Sequence, residues 1–211
     1  MCHKVVTDEM ILQLIEVVKQ QISKSRFEHT LGVLTTAKYI GISLEVENLN
    51  KICAAALLHD ITKEYSFSKQ LKMCDEFGII LREDENSSPA VLHAITAAAV
   101  IPLEYPNFND KEIISCVRWH TTGKINMSLS EKIIYLSDYI EPTRIHEACT
   151  TLRKTFFDAF DSSSIQTEKL KHLDNAVAIA LDQTINYLNS KNAQINIDTL
   201  KALSYIKSNG I

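Results

Sequence analysis

Apolar residues return every three or four positions along nearly the whole chain, and only five glycines and four prolines interrupt them. That period places one buried stripe on a helix, whereas a half-buried strand needs alternation in twos. The sequence therefore specifies an all-α fold with no substantial sheet. Its 211 residues, 45% of them hydrophobic, suit one helical domain over 1–211 rather than two independent cores.

Punctuation residues divide the pattern. Helices are expected over Asp8 to Ile22, Ser25 to Ile40 (Ser25 and Glu28 at capping-box spacing), Glu47 to Asp60, and Phe67 to Phe77, which stops at Gly78. Leu81 to Ser88 reads as a charged loop, and Pro89 opens an alanine-rich helix that ends before Pro102. Further helices are expected over Asp110 to His120 and Leu129 to Ile140, the latter with Ser128 and Glu131 again at capping-box spacing and Pro142 ending it. Two or three more follow, near Ile145 to Phe160, Glu168 to Leu188 and Asp198 to Ser208.

A net charge of −4 supplies no basic field for gripping a nucleic-acid backbone, so phosphate recognition should rest on a few local cations and a small anionic ligand. The cysteines (Cys2, Cys53, Cys74, Cys116 and Cys149) are scattered and form no C-x-x-C pair, which points to a reducing compartment without a disulfide framework. Met1 to Asp8 lacks a signal-like start, and no stretch approaches ~18 uninterrupted apolar residues. A soluble cytoplasmic protein with no membrane or nucleic-acid partner is expected.

Several ionisable side chains fall in register with residues that should be buried, where a polar group without a partner is costly. His59 continues the stripe of Ile52, Ala55 and Ala56, and Asp60 follows it. His120 stands in line with Ile113, Cys116 and Val117, and Asp138 with Ile134 and Tyr135. All three lie at or near helix C-termini, whose partial negative charge favours cations. His29 shares a face with Gly32, Val33 and Thr36, and His93 with Ala90, Ala94 and Ala97. A lone histidine on an apolar stripe is more often a hydrogen-bonded core residue than a ligand. Several of them with two carboxylates, spread over five helices, are better explained by one shared site. Mixed imidazole and carboxylate donors suit iron, manganese, zinc, cobalt or nickel rather than calcium. His3, His146 and His172 do not join this set.

The order His29, His59-Asp60, Asp138 resembles the HD superfamily. The blocks Arg26-Phe27-Glu28-His29, Leu57-Leu58-His59-Asp60-Ile61-Thr62-Lys63, Leu92-His93, His120-Thr121-Thr122-Gly123 and Tyr135-Leu136-Ser137-Asp138-Tyr139-Ile140-Glu141-Pro142-Thr143-Arg144 are similar to the bacterial YqeK-type HD hydrolases, symmetrical diadenosine tetraphosphatases. The likeness runs from about Asp8 to Leu188. Ser137 stands where that pattern has alanine, and Ala94 where it has glycine; neither is a proposed ligand.

The resemblance implies an HD helical bundle over about 20–142, with a C-terminal helical extension over about 143–211 packed on it. It implies His29, His59, Asp60, His93, His120 and Asp138 as ligands of two divalent or mixed-valent transition metals, iron foremost. The implied reaction is hydrolysis of a phosphoanhydride in a dinucleoside polyphosphate by a metal-activated water, with diadenosine tetraphosphate cut to two ADP. Asp60 would bridge the metals, with His29, His59 and Asp138 on one side and His93 and His120 on the other. Phosphate would meet Arg26, Lys63, Arg144 and the Thr121, Thr122 and Gly123 turn, with Lys63 and Asp60 as the residues of catalysis. A homodimer is compatible with this reading. The competing expectations are an HD nucleotidase or phosphodiesterase for another nucleotide, and a nucleotide-sensing module whose metal only anchors phosphate.

Overall fold

Helix α1 (Asp8–Gln21) starts where the Thr7 hydroxyl accepts the Met10 amide, and Asp8 and Glu9 in its first turn complement the helix dipole. In the computed structural model, which describes residues 5–86 and 88–209 and only the backbone of Pro89, such local rules explain most boundaries. Cys2 and His3 lie outside the described residues. The other helices are α2 (Lys24–Ser43), α3 (Leu49–Leu58), α4 (Phe67–Glu76), α5 (Glu83–Asn86), α6 (Pro89–Glu104), α7 (Lys111–Trp119), α8 (Leu129–Ile140), α9 (Glu147–Ser162), α10 (Gln166–Ser190) and α11 (Ile197–Asn209), with a 3-10 turn at Pro106–Phe108. Among the described residues there is no strand, and no helix is long and apolar enough to cross a membrane.

Several boundaries differ from the sequence expectation. Ser23, not Ser25, caps α2, because its hydroxyl accepts the Arg26 amide; the helix also runs on to Ser43. Helix α3 ends at Leu58, and Asp60 sits in the tight turns that follow, closed by Lys63 N–H to Asp60 C=O at 2.9 Å. The expected loop over Leu81 to Ser88 contains α5. Its Glu85 is buried, accepts the Arg82 amide and meets Arg118 at 2.5 Å, and these contacts hold a charged segment against the bundle. Pro102 does not end α6; it lies in the last turn, has no N–H for the Ala98 carbonyl, and the helix closes soon after it with the Tyr105 amide on the Ile101 carbonyl. Helix α9 extends to Ser162, past the expected end at Phe160, and His146 caps its other end by accepting the Ala148 amide. The capping box at Ser128 and Glu131 forms as expected, with both reciprocal bonds present.

The first eight helices form a bundle in which α2 packs on α3 and α8, α3 on α7, and α6 on α7. One apolar core is continuous from Leu14 through Leu58, Ile113, Leu136 and Phe160 to Ile206, so α9, α10 and α11 share it. Ala54, Ala55, Ala56 and Ala97 are fully buried. Their small side chains let the axes approach closely, which brings the ends of α3, α7 and α8 together.

Candidate metal centre

His59 ends α3 and His120 ends α7, each still in helical conformation, and α8 presents Asp138 less than a turn before its own end. Helix α2 contributes His29 from one side, and α6 contributes His93 from the other. Negative helix ends therefore converge on one point, and four imidazoles and two carboxylates meet there. His59 and His93 are wholly buried, and His29, Asp60 and His120 nearly so.

Asp60 is central. Its Oδ2 lies 3.4 Å from His59 Nε2 and 3.5 Å from His29 Nε2, while its Oδ1 lies 3.1 Å from His93 Nε2 and 3.6 Å from His120 Nε2. His29 Nε2 is also 3.1 Å from Asp138 Oδ1 and 3.3 Å from His59 Nε2, and His93 Nε2 is 3.1 Å from His120 Nε2.

Hydrogen bonds on the far side of the rings set the tautomers. His59 Nδ1 donates to the Ala56 carbonyl and His120 Nδ1 to the Val117 carbonyl, both at 2.7 Å, and His29 Nδ1 meets Glu141 Oε1 at 3.0 Å. The Nε2 atoms of His59 and His120 then carry lone pairs facing their neighbours, and His29 Nε2 points to the same place. Lone pairs of buried imidazoles at about 3 Å are unfavourable alone and favourable around a cation, so the residues fit a transition metal. Two trios hold ligand atoms mutually within 4.8 Å: His29, His59 and Asp138, and His59, Asp60 and His120. His93 joins the cluster beside Asp60 and His120 without belonging to either trio.

Charge reinforces this geometry. Burial would raise the Asp60 carboxyl, but the surrounding imidazoles of His59, His120 and His93 hold it well below the usual carboxylate range. Asp138 is held equally low against burial by Arg144 and His29. Burial pushes His93 down to about 4 and also lowers His120, so both are neutral donors at pH 7. His29 goes the other way: burial opposes its charge, but Asp138 and Glu141 raise it to about 9.

Three cations border the cluster. Arg26 Nη1 is 2.8 Å from Asp60 Oδ2, and Arg144 Nη2 is 2.6 Å from Asp138 Oδ1. Lys63 Nζ approaches His93 Nδ1 at 3.2 Å, and burial lowers its pKa. A cleft of about 320 Å³, lined in part by Lys63, His120, Thr121, Asp138 and Arg144, opens beside them. The Thr121 hydroxyl is buried there without a protein partner. Thr122 turns its hydroxyl to the Gly123 carbonyl, and the Gly123 amide closes α7 by donating to Trp119 C=O at 2.9 Å, with φ +64°. That amide is spent on the turn.

Sequence reasoning gave no role to Glu141, Gly32 or Thr62. Glu141 is fully buried, bonded to His29 and to Thr143 N–H and Oγ1 at 2.6 Å. A Cβ on Gly32 would overlap its carboxylate. Thr62 donates to the His93 carbonyl at 2.9 Å and ties α6 to the turn that carries Asp60. The available signal was spacing, since Glu141 lies three residues after Asp138 and Gly32 three after His29.

Comparison with known proteins agrees with this geometry. The profile of the family described as "HD domain" matches residues 26–143. The chain is 31% identical over 192 residues to the symmetrical bis(5'-nucleosyl)-tetraphosphatase of Halalkalibacterium halodurans, covering 88% of this chain and 91% of that protein. It is 29% identical to the symmetrical bis(5'-nucleosyl)-tetraphosphatase of Bacillus subtilis, covering 90% and 94%. The crystal structure of a protein from Clostridium acetobutylicum, described as a predicted HD superfamily hydrolase involved in NAD metabolism, superimposes with a TM-score of 0.80 at 28% identity, covering 93% of this chain and 96% of that one.

Proposed function

Because the chain belongs to the HD-domain family of metal-dependent phosphohydrolases, we propose that it cleaves diadenosine tetraphosphate symmetrically. Water adds across the central phosphoanhydride, the bridging P–O bond breaks, and two ADP leave. The observation that carries the proposal is the buried His29–His59–Asp60–His120–Asp138 cluster opening onto a cleft edged by Lys63 and Arg144.

We assign His29, His59 and Asp138 to one metal position and His93 and His120 to the other, with Asp60, whose two carboxylate oxygens face the two sets, shared between them. The imidazole–carboxylate donor set suits a borderline first-row ion, and iron is the ion proposed. Bound there, divalent metal supplies Lewis acidity that lowers the pKa of water and neutralises phosphate charge.

The chain's own residues then position the polyphosphate. Arg26 Nε and the Thr121 hydroxyl are buried donors without protein partners, and phosphate oxygens would satisfy both. Arg144, its pKa raised by Asp138, stays charged throughout the physiological range and faces the same cleft as Lys63. Together they counter the negative charge that grows on the leaving ADP.

The test is incubation of metal-analysed protein with diadenosine tetraphosphate and separation of the products. Two ADP per substrate support the proposal. AMP plus ATP would overturn symmetrical cleavage, tight binding without product would favour a sensor, and phosphate release from mononucleotides would favour a different HD nucleotidase.

A further inference from the structure

Resting on the nucleotide reading above, we propose that the chain segment from Gln194 to Thr199 forms the nucleoside end of the substrate cleft, with the Asn196 side-chain amide as the donor that reads the base. Asn196 is 5% exposed and lines the cleft. Its Oδ1 accepts the Asp198 amide at 2.9 Å and its backbone carbonyl accepts the Thr199 amide at 3.1 Å, so it caps α11. The cap orients the carboxamide: the oxygen is committed to the helix, and Nδ2 is left buried with no partner. A buried donor without an acceptor is costly, and it is tolerated where a ligand brings the acceptor.

The segment is anchored in place. Arg82 Nη2 meets Asp198 Oδ2 at 2.5 Å, and Asp84 accepts the Ile197 amide at 3.0 Å, so α5 and the start of α11 clasp each other. The charged α5 stretch and the start of α11 thus form one strap beside the cleft.

The cleft lining is chemically mixed. Lys63, His120, Asp138 and Arg144 belong to the metal cluster or border it, and Val91, Tyr139, Tyr187 and Leu188 add aliphatic and aromatic surface. Cations and metal ligands suit a polyphosphate, and apolar and aromatic surface suits a flat heteroaromatic ring. A purine offers unprotonated ring nitrogens as acceptors, the complement of an unpaired Nδ2–H.

The test compares ADP with inorganic pyrophosphate, which has the phosphates and lacks the nucleoside, by calorimetry on metal-loaded protein. Asn196→Ser keeps an oxygen to cap α11 and removes the carboxamide. The expected result is an ADP dissociation constant raised about tenfold, with pyrophosphate affinity and the thermal midpoint unchanged. Tyr187→Ala, at a half-exposed position, should give the same selective loss and decides the matter if the first variant does not fold. Unchanged ADP affinity, equal weakening of both probes, or wild-type protein that binds ADP no better than pyrophosphate would overturn the subsite. Wild-type cleavage of diadenosine tetraphosphate is measured alongside. Its absence sinks the proposed function alone, whereas cleavage with insensitive ADP binding sinks only the subsite.

Discussion

Glu141 accepts the Nδ1–H of His29 at 3.0 Å from 112 positions further along the chain, in a slot that is open because residue 32 is glycine. The bond fixes the ring so that Nε2 faces Asp138, and the carboxylate makes the imidazole more basic. Glu141→Gln keeps an acceptor and removes the charge. Metal affinity should fall about 10- to 100-fold with helix content unchanged, measured by competition with a chelator. Wild-type affinity would show that Glu141 only fills space.

Gly32→Ala should perturb the same contact from the other side. The added methyl overlaps a carboxylate held by His29 and Thr143, which cannot simply swing away. A loss of about 1–3 kcal/mol in urea unfolding is expected, with metal affinity falling in parallel. A stable variant with intact metal binding would mean that Glu141 moves freely.

Lys63→Ala should lower turnover about 10- to 100-fold while metal content stays at the wild-type level. The Lys63 ammonium lies at the cleft and contacts His93, outside both ligand trios. Loss of metal in this variant would reassign Lys63 to building the centre.

Far from the site, Lys51 bridges Asp110 at 3.1 Å and Glu112 at 3.3 Å. Burial would raise the Asp110 carboxyl, but Lys51 and backbone amides at the start of α7 lower it. A depressed carboxylate pKa contributes stability above its unfolded value and loses that contribution as pH falls through the folded value. Asp110→Asn keeps the cap and removes the charge, so it should cost about 1 kcal/mol at pH 7. The gap to wild type should close below about pH 4; a gap that persists in acid would point to packing instead.

Cys53, Cys74, Cys116 and Cys149 are all buried free thiols, and burial pushes each pKa up, Cys116 most clearly. With little thiolate, they should resist alkylation in the native state and react on unfolding. Mass spectrometry of peptides after brief iodoacetamide treatment reads this directly; rapid native labelling of Cys116 would contradict its placement.

Helix periodicity, the Ser128–Glu131 box and the inward register of His59, His120 and Asp138 depend on neighbours within a turn or two, so they were legible in the chain. The choice between Ser23 and Ser25 as cap was local too: Ser25 matches the capping-box pattern through Glu28 and Ser23, followed by Arg26, does not, yet it is the Ser23 hydroxyl that accepts the Arg26 amide. The α5 helix was not legible, because what steadies its charged residues is Arg118 from α7 and the start of α11.

The sequence by itself determined that this chain is helical and that it carries too many inward-facing imidazoles and carboxylates to be explained one by one. It also carried the family pattern. Only the tertiary structure decided which Nε2 atoms hold free lone pairs, that Glu141 orients His29, and that Asn196 and the C-terminal strap border the cleft. The physical reason is that a helical period specifies which face a residue takes, whereas tautomers, buried donors and shared ligand positions depend on partners tens of residues away.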